Sequence, residues 1–266
     1  MNPELVGIRC PSQKIQLSHP SSLDLLRNDR STLTSDEWNL LSNMTHAYDT
    51  MNLISHVKNL LEQQASLPPK LRSKSSTMFD ITKLFFSAFQ PFIESTPYFH
   101  HLTIDTCRTL LRSNSAAVGT INSFFIIREV NALDYSAFLT GCNTIYGHET
   151  MECLRKFLAL LEQNGTLVKL MLLILAYSTN SCALVFDHSD NMQSKPNSIS
   201  IFNVQNIFIN MFWKYLVYQY GFIEAVRWFN SFIKYILDVI QSMHDRENAQ
   251  HNQMLDTVIK ETTRLL

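Results

Sequence analysis

The sequence predicts an all-α protein, built as a three-layer antiparallel helical sandwich of about ten helices with at most a short β-hairpin. Three observations support this prediction. Only 6 of the 266 residues are glycine, whereas dinucleotide-binding α/β folds need glycine-rich turns. Apolar residues recur at helical spacing through most of the chain, and two of the helical segments carry no polar face. Because such helices need neighbours on both sides, they predict a middle layer between two outer layers.

The chain is predicted to comprise a short arm and one domain. Residues 1–33 are rich in Ser, Pro and Asn and show no steady periodicity, which predicts a hinge or disordered arm. Residues 34–266 carry helical patterns without a fixed repeat period, which predicts one domain and not a solenoid. The net charge of −1 gives no field that would attract nucleic acid or an anionic membrane.

The first helix is predicted from a capping box at its start. The Thr34 side chain can accept a hydrogen bond from the amide of Glu37, and Glu37 can reach back to the amide of Thr34. Apolar residues at helical spacing then predict a helix to about Met51, with an extension through Leu61 as the alternative. After a polar loop, an aromatic pattern predicts the next helix over residues 79–95.

Two prolines shape the centre of the chain. Pro91 lies in the last turns of the aromatic helix and predicts a kink or an early end, and Pro97 makes a corner. The segment Leu102–Val130 follows as a long helix with almost no charge between Arg112 and Arg128. A helix without charges over about four turns is expected to be buried on most faces.

The next segments alternate between irregular and strongly apolar patterns. Residues 131–146 mix aromatic residues with Asp, Gly and Asn, which predicts a short β-hairpin. An amphipathic helix is predicted over Glu149–Gln163, and a second buried helix over Leu167–Asp187. Lys169 interrupts the apolar run of that second helix, so a core helix is favoured over a membrane span.

Three further patterns complete the chain. Ile199–Tyr220 and Phe222–Met243 predict two long aromatic helices, separated at Gly221. After a polar run, a short apolar pattern from Met254 predicts a last helix.

No catalytic constellation is present, so we do not expect an enzyme, and no cofactor is predicted. The five cysteines are widely spaced and form no CxxC pair, which predicts buried reduced thiols and no zinc site: Cys10, Cys107, Cys142, Cys153 and Cys182. Arg128 borders an apolar region and either anchors a ligand carboxylate or pairs with an acid. Phe85, Phe86 and Phe89 are either core residues or the lining of an apolar pocket.

One segment, PYFHHLTIDTCRTLLR, resembles the signature of the nuclear-receptor ligand-binding domain, P-x-F-x-x-L-x-x-x-DQ-x-x-LL-[KR]. The positions that match are Pro97, Phe99, Leu102, Leu110, Leu111 and Arg112. Asp105 takes the first acid position of the family's variant that has two acids before Gln. Cys107 stands where the family has Gln. The resemblance extends over residues 33–266, and LTSDEWNLLSNMTHAYD is similar to the first helix of divergent invertebrate receptors. The chain carries no zinc-finger motif, so no direct nucleic-acid binding is expected from it.

The chain departs from the family at the groove that binds coregulators. Glu94 stands where the family usually has the Lys of its charge clamp, and Ala117 stands where an acid usually follows. The family's carboxylate-binding Arg would fall at Ile126, two residues before Arg128. The last helix keeps only the first half of the family's ΦΦxEΦΦ pattern. The residues that could still form this groove are Glu94, Arg112, Val258, Ile259 and Glu261.

The resemblance implies a nuclear, ligand-regulated transcription-factor module. It would bind a small lipophilic ligand, and its last helix would close a groove for a coregulator helix. It would form homodimers or heterodimers with another receptor. The candidate ligand-binding residues are Ile81, Phe85, Phe89, Gly119, Ser123 and Arg128. The candidate dimer face on the penultimate helix consists of Trp228, Phe229 and Tyr235.

The alternative is a receptor-like interaction module that works without a ligand. Its cavity would be filled by its own side chains, and it would dimerise with other receptors or titrate them. The volume of the cavity separates the two hypotheses, because a ligand site typically measures about 300 Å³ or more.

Overall fold

The computed structural model describes residues 32–72, 75–178, 198–244 and 257–258. Within these ranges all regular structure is helical and no strand occurs, which confirms the predicted all-α class. The described residues belong to one unit. The α-helices are α1 (Ser35–Thr50), α2 (Leu53–Ser66), α3 (Pro69–Arg72), α4 (Ser75–Ser87), α5 (Phe89–Glu94), α6 (Ile104–Glu129), α7 (Ser136–Leu160), α8 (Gly165–Ala176), α9 (Ser198–Tyr220) and α10 (Phe222–His244).

The predicted capping box at the start of α1 is present. Glu37 N donates to Thr34 Oγ1 at 3.2 Å, and Thr34 N donates to Glu37 Oε2 at 2.7 Å. Helix α1 ends where Asn52 adopts a left-handed conformation with φ 51°. The extension through Leu61 is therefore a separate helix, α2, and not a continuation of α1.

The predicted helix over residues 79–95 is two helices. Helix α4 ends at Ser87, and α5 starts at Phe89. Pro91 has no amide hydrogen, and its ring would collide with the carbonyl of Ser87 in a continuous helix, so the break at Ala88 has a direct cause. The kink that Pro91 predicted is confirmed.

Helix α6 is the long buried helix that the absence of charge predicted. Thr103 caps its start by accepting from Thr106 N at 3.3 Å, and Asp105 lies in its first turn, where a carboxylate is favoured. Most of its residues after Cys107 are buried. It packs against α2, α4, α5, α7, α8 and α10, so it touches most of the domain.

The β-hairpin predicted for residues 131–146 is wrong. Asn131, with φ 50°, ends α6 and leads into a 3-10 turn at Ala132–Asp134. Helix α7 then begins and buries Phe138 and Cys142, which lie one turn apart on its inner face. This helical spacing outweighs the scattered polar residues on its outer face. At Gly147, where φ is 80°, the chain breaks before the amphipathic half of α7.

Helix α8 is the second buried helix. Asn164 caps it by accepting from the amides of Thr166 and Leu167, and all residues from Leu167 through Ala176 are buried. In the part of the chain that the structure describes, no single helix is long and apolar enough to cross a membrane. Only α7 and α8 together reach the required length and composition, and they are bent by 116°.

The two long aromatic helices appear as predicted, as α9 and α10. Helix α8 ends at Ala176, and the described residues Tyr177 and Ser178 are not helical, so the helix predicted over Leu167–Asp187 ends earlier than expected. Residues 179–187 and most of the last helical pattern lie outside the described residues. From that pattern the structure describes only residues 257–258, and the Val258 side chain is fully buried.

Candidate functional site

A small cavity lies between α4, α6 and α7. Its volume is about 80 Å³, far below the roughly 300 Å³ of typical ligand sites. Three helices line it, with Met78, Thr82, Phe85 and Phe86 from α4, with Thr120, Ser123, Phe124 and Ile127 from α6, and with Phe138, Cys142, Tyr146, Thr150, Met151 and Leu154 from α7.

The hydroxyl groups around this cavity bond to the protein itself. Thr82 Oγ1 donates to the carbonyl of Met78 at 2.8 Å and lies 3.3 Å from the Tyr146 hydroxyl. Ser123 Oγ donates to the carbonyl of Thr120 at 2.6 Å. A hydroxyl that satisfies a helix carbonyl is less available for a ligand, because binding would break an existing bond.

Two side chains of α4 take up the space where a ligand would lie. The Phe86 ring lies directly on Gly119 of α6, so close that a methyl group at residue 119 would overlap it. Met78 lies on Gly141 of α7, with its Cγ and Sδ atoms 3.0 Å from the position of an added Cβ. The two glycines therefore let α4 side chains fill the interior between the helices.

The structure places the predicted ligand-binding residues in different surroundings. Phe85 and Ser123 line the cavity. Ile81, Phe89 and Gly119 are buried but are not part of the lining. Gly119 still matters, because it accommodates Phe86, which the candidate set did not include.

Arg128 is not part of the cavity lining, and its guanidinium donates hydrogen bonds to carbonyls at the end of α7. Its Nη1 atom donates to the carbonyl of Leu161 at 3.0 Å and to that of Glu162 at 2.6 Å. It also pairs with Glu129 at 3.1 Å and lies over the Phe125 ring. Of the two roles considered for Arg128, pairing with an acid is the one observed, and its added role is to satisfy the carbonyls that follow α7.

A buried polar chain that sequence reasoning missed ties α1, α4 and α6 together. The Tyr48 hydroxyl donates to Asn122 Oδ1 at 2.5 Å, and Asn122 Nδ2 donates to the carbonyl of Phe85 at 2.7 Å. Burial raises the pKa of Tyr48, with the nearby carboxylates of Asp49 and Glu129 acting in the same direction, so the hydroxyl keeps its proton. Asn122, a polar residue within a strongly apolar stretch of α6, was the sequence signal that could have predicted these hydrogen bonds.

A second polar contact, between the buried Lys169 and the exposed Asp49, joins α1 to α8. Lys169 Nζ lies 2.6 Å from Asp49 Oδ1 and 5.1 Å from the centre of the Tyr48 ring. Lys169, in the buried helix α8, is thus paired with Asp49 near the end of α1. Lys169 therefore holds the two helices together, and it lies outside the lining of the cavity.

An open surface depression of about 370 Å³ lies at the end of α6. Lys58, Glu129 and Asp134 give its lining charges of both signs, and Val130, Asn131 and Tyr135 complete the lining. Mixed charges on an open surface indicate no ligand class. Among the described residues, no three His, Cys, Asp or Glu side chains are grouped so that they could hold a metal ion.

The predicted coregulator residues are only partly described. Glu94 is half-buried at the end of α5 and accepts a hydrogen bond from Gln90 Nε2 at 2.8 Å. Arg112 is exposed on α6, and Val258 is buried. Ile259 and Glu261 lie outside the described residues.

The predicted dimer residues lie on the inner or lateral sides of α10. Tyr235 is buried, with its ring 5.9 Å from Phe157, and Phe229 is half-buried against Phe212. Trp228 stacks on Tyr220 at 5.6 Å. Of the three predicted residues only Trp228 is exposed, and the other exposed apolar residues of α10 are Phe222, Ile223, Val226, Ile233 and Leu237.

No protein-family model matches the chain, and no curated protein matches it.

Proposed function

We propose that this chain is a receptor-like helical module that acts in transcription regulation through protein–protein contacts and without a ligand. The observation that carries the proposal is the interior of the domain. Phe86 and Met78 pack between the helices and leave a cavity of only about 80 Å³, and the hydroxyls of Thr82 and Ser123 bond to carbonyls of their own helices. A drug-sized molecule would have to displace both side chains.

The packing of the helices supports a three-layer antiparallel sandwich of the nuclear-receptor type. The buried helices α6 and α8 contact each other, as middle-layer helices would. Helix α4 packs on α6, and α1 packs on α8, which supplies one outer layer. Helix α10 packs on α6, α7 and α9, as a helix of a second outer layer would. The signature segment around Pro97 lies at the corner between α5 and α6.

The size of the cavity favours the ligand-independent form of this function over the ligand-regulated form. A regulating ligand must bind one conformation better than another, and it needs buried contact area to do so. The position of Glu94 supports the same choice, because a carboxylate replaces the family's lysine and is held by Gln90. Nuclear localisation and partnership with other receptors follow from the resemblance as parts of this proposal.

The outer face of α10 supports an interaction role. Ile223 is 70% exposed, and Leu237 is 49% exposed. Large apolar side chains grouped on one exposed face indicate a protein contact. The acids and bases beside this face pair within the helix, with Glu224–Arg227 at 2.5 Å and Lys234–Asp238 at 3.2 Å. The face therefore has no net charge that would repel a second copy.

Native mass spectrometry of the purified chain tests the absence of a ligand. We expect masses of the polypeptide and of its dimer, without a bound lipid. A matched variant, Phe86→Ala, opens the interior and should bind iodobenzene, since dry apolar cavities of about 150 Å³ accept such probes. A lipid that co-purifies with the wild-type chain and is lost from a Phe86→Trp variant would overturn the proposal.

A reporter assay tests the role in transcription. The chain would be fused to an unrelated DNA-binding domain, and reporter output would be compared with that of the DNA-binding domain alone. We expect a change in output that persists when the cells are grown in lipid-stripped medium. The paired substitution Ile233→Glu and Leu237→Glu should abolish it, whereas Arg155→Ala, at an exposed position of α7, should not. No change in output with the wild-type fusion would contradict the proposal.

A further inference from the structure

A second and smaller cavity lies where α10 meets the turn between α7 and α8. Its volume is about 30 Å³, and its lining shares no residue with that of the cavity between α4, α6 and α7. Most of the lining is apolar, but Glu162, Ser231 and Tyr235 bring polar groups to it. Leu160, Trp228 and Ser231 are exposed, so the cavity reaches the surface on one side.

The Tyr235 hydroxyl is a buried polar group beside this cavity. Only 6% of the residue is exposed, and its ring packs edge-on against Phe157 with 5.9 Å between the ring centres. The hydroxyl oxygen is buried and bonds to no group of the described residues. Burial raises the pKa of Tyr235, and the nearby Arg128 guanidinium offsets only part of this effect, so the hydroxyl keeps its proton. A buried donor without an acceptor is strongly unfavourable, so this hydroxyl requires a partner.

The other buried tyrosines show how this fold treats such hydroxyls. Among the described residues, each of them bonds to a side chain: Tyr48 to Asn122, Tyr177 to Thr96 and Tyr215 to Asn164. Tyr235 is the exception, although it is less exposed than Tyr215. Because it lines a cavity, its partner can come from solvent instead of from the protein.

We propose that this cavity is a binding site for one ordered water molecule, held by the Tyr235 hydroxyl, the Ser231 hydroxyl and the main-chain carbonyl of Glu162. A cavity needs about 10–15 Å³ to hold a water molecule, whereas an organic ligand needs roughly 300 Å³. A buried water typically makes about three hydrogen bonds. This water would accept the proton of Tyr235 and donate to the two other oxygens. The inference does not depend on the proposed function of the chain.

The polar groups of the lining are placed for such a water. Ser231 precedes Tyr235 by four residues, so the two side chains lie on the same face of α10. The carbonyl of Glu162 accepts from Arg128 Nη1 at 2.6 Å and keeps a second lone pair. The Glu162 carboxylate is less available, because its Oε1 atom already accepts from the Tyr220 hydroxyl at 3.0 Å and from an amide of the turn at 2.8 Å.

The water would complete a polar connection between three parts of the fold. Arg128, at the end of α6, holds the turn through the carbonyl of Glu162. The water would extend this connection from the same carbonyl to Tyr235 of α10. A dry cavity would instead leave the hydroxyl unpaired. The two cases differ in the sign of the effect of removing the hydroxyl, because removing an unpaired buried group stabilises a fold and removing a bonded one destabilises it.

Tyr235→Phe tests this sign by thermal unfolding. If the hydroxyl bonds to a water, we expect the Tm to fall by roughly 2–4 °C. The matched control is Tyr177→Phe, which removes a buried hydroxyl that bonds to Thr96 and should lower the Tm by a similar amount. A Tm of Tyr235→Phe that is equal to or above that of the wild type would overturn the inference.

A double variant tests whether Tyr235 and Ser231 share the same water. Ser231→Ala changes the helix propensity of the site as well, but this contribution cancels when the single variants and the double variant are compared. We expect the change in Tm of Tyr235→Phe with Ser231→Ala to differ from the sum of the two single changes. Strictly additive changes would contradict a shared water.

Crystal structures of the wild type and of Tyr235→Phe provide the direct test. In the wild type we expect a water peak roughly 2.7–2.8 Å from the Tyr235 hydroxyl oxygen, within hydrogen-bond distance of Ser231 Oγ. The peak should weaken or disappear in Tyr235→Phe. Wild-type density without this peak, or with the hydroxyl bonded to a protein atom, would refute the proposed site.

Discussion

Gly119→Ala adds one methyl group to the face of α6 that carries the Phe86 ring. The ring occupies the space that the methyl group needs, so either Phe86 or the backbone of α6 must move. Alanine improves the helix propensity of the site by about 1 kcal/mol. Overpacking a dense core typically costs about 1–3 kcal/mol, and a rigid ring between two helices favours the upper end of that range.

We expect Gly119→Ala to lower the free energy of unfolding by about 1–2 kcal/mol, after the gain in helix propensity is included. For a domain of this size, that corresponds to a fall in Tm of roughly 3–6 °C. Urea unfolding followed by circular dichroism measures the change, with the m value as a check that the denatured state is unaltered.

Gly165→Ala is the matched control, because it also adds a methyl group beside a phenylalanine ring. At residue 165 the nearest atom of Phe125 would be 3.5 Å away, which is an ordinary contact. We expect this variant to be as stable as the wild type or slightly more stable. In the double variant Gly119→Ala with Phe86→Leu, the loss of unfolding free energy should be smaller than the sum of the losses in the two single variants. The smaller leucine side chain leaves room for the added methyl group.

Equal stability of Gly119→Ala and Gly165→Ala would refute the reasoning. It would mean that Phe86 does not rest on Gly119 and that the interior is not filled in this way. A double variant whose losses are strictly additive would lead to the same conclusion.

Three other predictions concern Asn122, Glu37 and Cys142. Asn122→Ala should lower the free energy of unfolding, measured by urea titration, by about 2–4 kcal/mol, because it removes the partner of the Tyr48 hydroxyl and of the Phe85 carbonyl. Tyr48→Phe removes only one of these hydrogen bonds and should lower it by about 1 kcal/mol. Burial raises the pKa of Glu37, but the hydrogen bonds from Lys214 and Thr34 outweigh it and hold the pKa below its ordinary value of 4.5. The stability that the Glu37 carboxylate contributes is present above pH 4.5 and is lost as the pH falls through its lowered pKa. Glu37→Gln should therefore flatten the acidic side of the curve of unfolding free energy against pH. An unchanged acidic side would contradict the role of Lys214. Burial raises the pKa of Cys142 to about 12. In a background with Cys10→Ser, Cys107→Ser and Cys182→Ser, Ellman's reagent at pH 8 should therefore modify Cys153 quickly and Cys142 only on unfolding, and rapid modification of both thiols would refute the buried position of Cys142.

The features that the sequence predicted well are those set by local chemistry. The capping box at Thr34 needs only residues three apart, and the break near Pro91 needs only one ring. The burial of α6 followed from the absence of charge between Arg112 and Arg128. Each of these predictions depends on near neighbours in the chain, so the sequence alone contains what is required.

The features that the sequence did not predict depend on contacts between distant residues. Gly119 matters because Phe86 lies against it, and no pattern within α6 reveals a partner 33 residues away. Arg128 satisfies carbonyls that follow another helix, which its own helix does not specify. The short hairpin was predicted from the composition of residues 131–146, whereas burial of Phe138 and Cys142 against neighbouring helices decides their conformation.

The outer face of α10 lies between these cases. Its aromatic content predicted a contact surface, but the predicted residues were chosen without knowing which side faces the core. The structure shows that Tyr235 is buried and that Ile223 and Leu237 are exposed. Because α10 is apolar on both its inner and its outer sides, periodicity alone does not separate the core face from a partner face.

The central claim is that the interior of this domain is filled by its own side chains. The most direct test is the electron density of a crystal of the wild-type chain, purified without delipidation, at the interface of α4, α6 and α7. We predict the Phe86 ring against Gly119 and no density beyond ordered water in the remaining 80 Å³. Continuous density for a bound molecule, with Phe86 turned away from Gly119, would contradict the account.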